Sequence, residues 1–429
     1  MADRRQFLRN MGGFLGTVAL LPFSEDVLSR TSDLFDTSLH LKVPPGENDE
    51  EFWRWVQQQY TSSPNFTNLN NGGVSPQPRI VQDAFMRYNA ICNEAPSYFM
   101  WREFKRDVDS VRVKLAAYAG VGENEIIINR NTTESLDTIV NGLPLNKGDE
   151  VLVCEYDYPN MKSAWRMREK RDGIVLKWIT LDIPTEDVQK LIDAYVKAMT
   201  PKTKLVHLTH MINWTGQVLP VTQIAAEAHK RGIEVLVDGA HTFAHLPYTL
   251  PELDCDYFGT SLHKWLCAPF GTGMLYVRPD KIKKVWPSFA NEEPDSDKMS
   301  KFENLGTRSV PAEMAIGQAL SFHKVIGAQR KFDRLHFLKE YWTKKIAGEK
   351  KFVLYTPSSP NWSGALATVG IEGITGPEIA RRLEQKARIH VTNIQIANVD
   401  GVRITPHVYT TQEDLDRLVK ALLDIRNQG

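Results

Sequence analysis

The chain has 429 residues, 42% of them hydrophobic and 24% charged, and its 52 basic side chains balance 52 acidic ones. A formal net charge of zero gives no global attraction to nucleic acid or to an anionic membrane. The four cysteines, Cys92, Cys154, Cys255 and Cys267, have neither metal-site spacing nor the density of a disulfide framework, which leaves a globular chain long enough for one large domain and a smaller one.

The chain opens on "DRRQFLRNMGGFLGTVALLPF", in which Arg4 and Arg5 precede an apolar run from Met11 to Phe23. That run is too short to span a membrane; a basic start before a short apolar stretch reads as an export signal. "RRQFL" resembles the twin-arginine signal, whose machinery exports folded proteins. The resemblance implies a signal segment over residues 1–30, transient contact with that machinery and a periplasmic or exported location, with the cytoplasm as the alternative. An N-terminal extension, 31–75, carries one helix at "EEFWRWVQQQY" and ends in the turn-rich "LNNGGVSPQP".

From residue 76 two helices are predicted, at "RIVQDAFMRYNAI" and "FKRDVDSVRVKLAAYA". Then strands and helices alternate. "EIIINR", "EVLVCE", "IVLKWI", "KLVHLTH" and "IEVLVD" read as strands. "TTESLDTIVNGL", "NMKSAWRMREKRDG", "TEDVQKLIDAYVKAM" and "VTQIAAEAHKRG" are the helices between them. This alternation predicts an α/β domain over 76–310, with a mostly parallel sheet between helices. Ligands of such sheets bind beyond the strand C-termini. That rule selects Asn131–Thr133, Tyr156–Asn160, His210–Asn213 and Asp238–His241. The remainder, 311–429, reads as a smaller α+β domain. It has helical stretches over 312–347, short strands at "KFVLY", "GALATVGI" and "VRITPHVYT", and a last helix from Gln412.

One lysine, Lys264, sits in the mostly apolar and aromatic stretch "YFGTSLHKWLCAPFGTGMLYVRP". Its head could reach solvent by snorkelling. In an apolar pocket, instead, its pKa would fall and the amine would become a nucleophile. Asp238 ends "IEVLVD", and Lys264 follows the short strand "DYFGT", so both belong to one rim of the sheet. They could form an ion pair. They also suit pyridoxal phosphate, which needs a lysine for its Schiff base and a carboxylate to keep its ring nitrogen protonated. "NRNTTESL" offers a phosphate cradle, with hydroxyl residues opening a helix.

"NTTES", "VDGAHTF", "SLHKW" with "GTGMLYVRP", and "VRITPHVYTTQEDLDRLV" occur in this order. Together they resemble the class V aminotransferase family of fold-type I pyridoxal-phosphate enzymes, over roughly residues 65–423. The resemblance is strongest to the isopenicillin-N epimerase-like branch, whose opening "LNNGGVSPQP" also resembles. It implies the fold-type I architecture and a role for each matching position. Lys264 would carry the cofactor and shuttle the α-proton, and Asp238 would pair with the ring nitrogen. His241 would lie near the ring hydroxyl. Thr132, Thr133, Ser261 and His263 would hold the phosphate, and Tyr158 would stack on the ring, with Tyr156 as the competitor. "ENLGTRSVP" resembles the segment that delivers a Gly-Thr pair, here Gly306 and Thr307, to a neighbouring protomer's phosphate, which implies a homodimer with shared sites. Arg403 would clamp the substrate carboxylate, a task suited to a guanidinium fork. Asn71 would line the substrate side or simply belong to the Asn-Gly turn. No metal is expected.

The reaction implied is epimerisation or transamination at the α-carbon of an amino acid or amino-acid moiety. The alternatives are a C–S lyase or a kynureninase-like hydrolase without a catalytic thiol, and a non-catalytic binding protein on the same fold. Persulfide-forming desulfurases need a thiolate in their C-terminal part, and no cysteine follows Cys267.

Overall fold

The computed structural model describes residues 49–428, so the expected signal segment and the first part of the N-terminal extension lie outside them. The strands in chain order are β1 (Thr67–Asn68), β2 (Ile126–Asn129), β3 (Glu150–Cys154), β4 (Val175–Ile179), β5 (Thr203–Thr209), β6 (Glu234–Asp238), β7 (Tyr257–Ser261) and β8 (Gly273–Val277). They continue with β9 (Phe352–Leu354), β10 (Ala367–Ile371), β11 (Ile389–His390), β12 (Thr392–Ile396) and β13 (Val399–Ile404).

Seven strands form the central sheet in the order β2-β8-β7-β6-β5-β3-β4. Only β8 runs against its neighbours; the other pairs are parallel. Both faces are covered, so several strands carry unbroken apolar runs, such as 126–128, 151–153 and 235–237, rather than a polar residue at every second position. Val235 and Val237 of β6 face one core cluster and Leu236 the other, as a period of two dictates. The helices between strands fall where the sequence puts them. Asn131 caps Thr132–Gly142 by accepting the Glu134 N–H, Asp187 caps Val188–Ala198, and Pro159 opens Pro159–Asp172.

A second, antiparallel sheet has the order β12-β13-β10-β9. It packs Ala367, Val369, Val402 and Ile404 against Ile379, Leu383, Leu415 and Leu418 of two helices. β1 pairs in parallel with β11, which draws the stretch after residue 66 onto this C-terminal part.

Three features refine or depart from the sequence expectation. The helical stretch 312–347 is two helices, Val310–Ile326 and Ala328–Ile346, parted at Gly327 with φ 86°, a conformation that suits glycine. The first of them, apart from Val310, lies on the small-domain side of the expected boundary. Yet its Val310, Met314 and Ala315 share a core with Val81, Val111 and Leu115 of the large sheet's helices. "VRITPHVYT" leaves the sheet at Ile404, its first three residues ending β13, and the strands β11 and β12 occupy the segment before it.

Candidate active site

A cavity of about 390 Å³ opens at the C-terminal rim of the parallel strands. Its walls include Asp238 from the end of β6, Ser261 from the end of β7, and Thr132 and Thr133 from the helix after β2. His263 and Lys264 follow β7, and Arg403 projects from β13 of the second sheet. Eight of the residues singled out from sequence thus line one space: Thr132, Thr133, Tyr158, Asp238, His241, Ser261, His263 and Lys264, with Arg403 as the ninth.

Lys264 is surrounded by protein, although its tip opens into the cavity. Burial lowers the Nζ pKa to about 8; Asp238 opposes the drop and Arg403 adds to it. Nζ lies 3.4 Å from His241 Nε2. Asp238 is buried, and its carboxylate accepts the Ala240 N–H at 2.9 Å. Burial raises its pKa, while Ala240, His207 and Lys264 pull it back. Among the described residues it makes no ion pair, so a buried carboxylate faces the cavity with Lys264 acting on it only from beyond ion-pair distance.

Ser261 Oγ accepts the Thr132 N–H at 3.0 Å and lies 2.7 Å from Thr132 Oγ1, which ties β7 to the first turn of the Thr132–Gly142 helix. His263 donates Nδ1–H to the Thr272 carbonyl at 2.9 Å, and burial takes its pKa down to about 4. Its ring is therefore neutral at physiological pH, with Nε2 left as a hydrogen-bond acceptor.

Arg403 is held by the Asn213 carbonyl at 3.1 Å and Asn70 Oδ1 at 3.0 Å, while Nε has no partner. Burial lowers its pKa to about 10, so it stays cationic at neutral pH. Among the described residues, His241 Nδ1 and Asn213 Oδ1 are likewise buried without partners. Buried polar atoms left in that condition are costly, and their convergence on one cavity marks a ligand site.

Tyr158 lines the cavity and is 41% exposed. Tyr156, its competitor, is a core side chain whose hydroxyl donates to Asn398 Oδ1 at 2.8 Å. Asn71 does not line the cavity. Its Nδ2 donates to the Thr405 carbonyl at 2.8 Å and its Oδ1 accepts from Tyr409 at 2.7 Å, so the amide anchors the turn. The neighbours do the work expected of it: Asn70 holds Arg403, and Gly72 lets the backbone approach. A Cβ on Gly72 would sit 3.4 Å from His241 and 3.5 Å from Arg403. Gly306 lines a different cavity, about 370 Å³, with Trp101 and Glu313; Thr307 lines neither.

Sequence reasoning missed Gly72, Gly73, Met161, Thr209, Trp214, Thr392 and Ile394 as wall residues. Thr209 ends β5 and pairs in register with Asp238, so the strand-end rule could have found it. Thr392 and Ile394 sit on β12, whose proximity only the packing of the second sheet creates.

A profile of the aminotransferase class-V family matches residues 67–418. Isopenicillin N epimerase of Streptomyces clavuligerus is 28% identical over 387 residues, covering 86% of this chain and 97% of its own. A probable cysteine desulfurase of Synechocystis sp. is 26% identical over 381 residues, covering 82% of this chain and 89% of its own. The solved complex of the cystine C–S lyase C-DES with its product cysteine persulfide superposes with a TM-score of 0.77 at 25% identity, over 84% of this chain and 98% of the other.

Proposed function

The chain belongs to the aminotransferase class-V family and is a pyridoxal-phosphate-dependent enzyme, and from that premise we propose that it acts at the α-carbon of an amino acid or of an amino-acid moiety of a larger metabolite, as an epimerase or aminotransferase. The observation that carries this reading is the single cavity shared by Lys264, the unpaired Asp238 and the half-satisfied Arg403.

The residues fit the cofactor. Asp238, buried without an ion pair, suits a protonated ring nitrogen. The rim of Thr132, Thr133 and Ser261 suits a phosphate at a helix N-terminus, and His263 would join it as a donor once the phosphate charge holds a proton on Nε2. His241, with Nδ1 free, can serve the ring hydroxyl, and Tyr158 can cover a ring face. Bound there, the cofactor supplies an electron sink for negative charge at the substrate α-carbon.

The chain's own groups do the rest. The unpartnered Arg403 Nε, with a neighbouring Nη, offers a two-pronged seat for the substrate carboxylate. Asn70 and the Asn213 carbonyl hold that fork in place. Lys264 Nζ, with its pKa near neutrality, can take the α-proton and return it. A second cavity of about 720 Å³ shares Gly73 with the first and contains Asn70, which leaves room for a substrate larger than a free amino acid.

The four cysteines are all buried, and none lines the active-site cavity. That supports chemistry without a protein thiol. The likeness to a cystine C–S lyase favours a second reading, a lyase of that thiol-free kind. Incubation with amino-acid pools in deuterated solvent separates the two. α-Deuteration, with or without amino transfer to a keto acid, supports the first; release of sulfide or of a side-chain fragment supports the second and overturns the first. Borohydride should fix the cofactor on the Lys264 peptide.

Two further parts of the proposal stand on sequence. A homodimer would bring the partner's Gly306–Thr307 segment to the phosphate; a monomer at working concentration with full activity rejects it. Export by the twin-arginine route predicts that replacing Arg4 and Arg5 with Lys retains the protein in the cytoplasm. Unchanged fractionation rejects that.

A further inference from the structure

Lys264 meets His241 across the cavity floor, and the two side chains come from different strand ends. Something must hold both segments in register. Behind them, outside the cavity, lies His245, which is 1% exposed. Its Nε2 accepts the Ala365 N–H at 2.9 Å, so the proton sits on Nδ1, which donates to the His241 carbonyl at 2.7 Å. Both nitrogens are thereby used, and only one neutral tautomer satisfies them. Burial, which takes this imidazole down to about pKa 3, keeps it in that form.

The flat of the same ring lies on Trp265, the residue after Lys264, with centroids 3.8 Å apart and planes 21° apart. His407 also stacks on the indole, at 5.6 Å and 17°. The indole N–H has no partner among the described residues, so these ring contacts orient it. The Trp265 carbonyl is tied separately by the buried Lys331 ammonium. Gly364 permits the close approach: a Cβ there would stand 2.4 Å from His245 Nε2.

We propose that His245 is a positioning residue for Lys264, fixing the chain after Asp238 by its edge and the chain after Lys264 by its face. It touches neither cofactor nor substrate. Its anchor, Ala365, precedes β10, so the second sheet participates in orienting the lysine. The inference rests on the pyridoxal-phosphate reading of the cavity.

The test uses pyridoxal phosphate itself as probe, with the full chain. His245→Phe keeps a flat ring and loses both hydrogen bonds. Gly364→Ala presses on Nε2 without altering any cavity residue. Each variant should still be labelled at Lys264 by borohydride. The pH midpoint of the bound cofactor's visible absorption should rise by about one unit, because water admitted round Lys264 relieves its burial. Covalent capture of cofactor by the stripped protein should slow about tenfold or more, the scale for a displaced reacting group. If His245→Phe does not fold, Gly364→Ala carries the same readouts. Loading with unmoved midpoint and capture rate, even with a lowered melting temperature, overturns the inference and makes His245 a packing residue. A wild-type chain that takes no cofactor at Lys264 overturns the functional reading and this inference with it.

Discussion

The two rims of the central sheet are built from the same strands and carry the same kinds of residue, but their charges are treated differently. At the rim where β6 and β7 begin, Glu234 meets Lys284 at 2.5 Å, Lys281 at 3.1 Å and the Tyr257 hydroxyl at 2.9 Å. Asp256, 1% exposed, meets Arg278 at 2.5 Å, His229 at 2.9 Å and the Val235 N–H at 2.8 Å. At the rim where the same strands end, Asp238, Lys264 and Arg403 make no ion pair among the described residues, and four polar atoms of the cavity walls, on Asn213, Trp214, His241 and Arg403, have no partner. A charge completed within the chain helps to hold the fold. A buried charge left incomplete keeps its desolvation cost until a ligand completes it, and such violations of local satisfaction concentrate at functional sites.

Breaking the open rim at its centre has the largest expected effect. Lys264→Ala should cut α-proton exchange by about 10²–10⁴-fold, the range for a lost acid–base group. The cofactor should still bind without a covalent link. Exchange at the wild-type rate per bound cofactor would remove Lys264 from the chemistry.

The closed rim should respond in stability instead. Asp256→Ala strips partners from Arg278 and His229 and should cost about 3 kcal/mol, as breaking buried pairs does. Denaturant unfolding measures that loss, while exchange per loaded site should stay at the wild-type value. A fall in exchange without a fall in stability would contradict the division between rims.

Arg403→Lys sharpens the same contrast within the open rim. It keeps the charge and loses the fork, and should weaken productive substrate binding by about 1–3 kcal/mol, read as kcat/KM. The bound cofactor's absorption should hardly change. Loss of cofactor in this variant would move Arg403 to the wrong ligand.

A pH series tests the burial of Lys264 directly. The attacking amine must be unprotonated, and its pKa is lowered to about 8. Capture of pyridoxal phosphate by the stripped protein should therefore rise about tenfold per pH unit below that value and level off above it. A plateau reached only near the pKa of an exposed lysine would mean that Lys264 is solvated. The smallest effect is expected from changing Cys92, Cys154, Cys255 and Cys267 together to Ala. The folded, loaded variant should exchange α-protons as the wild type does, and loss of all turnover would bring a thiol-dependent lyase back.

Much of this molecule is legible in its sequence. Alternating apolar strands and amphipathic helices specify the parallel sheet, because side-chain period and burial on both faces leave few other arrangements. The strand-end rule, applied to Asp238, Tyr158 and Thr132, places three walls of the cavity without coordinates. The apolar setting of Lys264 singles out that residue, and the family resemblance adds Ser261 and the role of Arg403, all found on the same space. The sequence does not separate Asn70 from Asn71 or Tyr156 from Tyr158: each pair shares a residue type, and only its surroundings tell the members apart. Asn71 spends its amide on Thr405 and Tyr409, while Asn70 turns to Arg403. His245 is equally silent in sequence, since its partners Trp265 and Ala365 lie 20 and 120 positions away. Local pattern thus determines which elements form and which ends face a ligand. Tertiary structure decides which side chains are already satisfied, because a hydrogen bond or a stacked ring depends on distance and angle between segments that nothing local brings together.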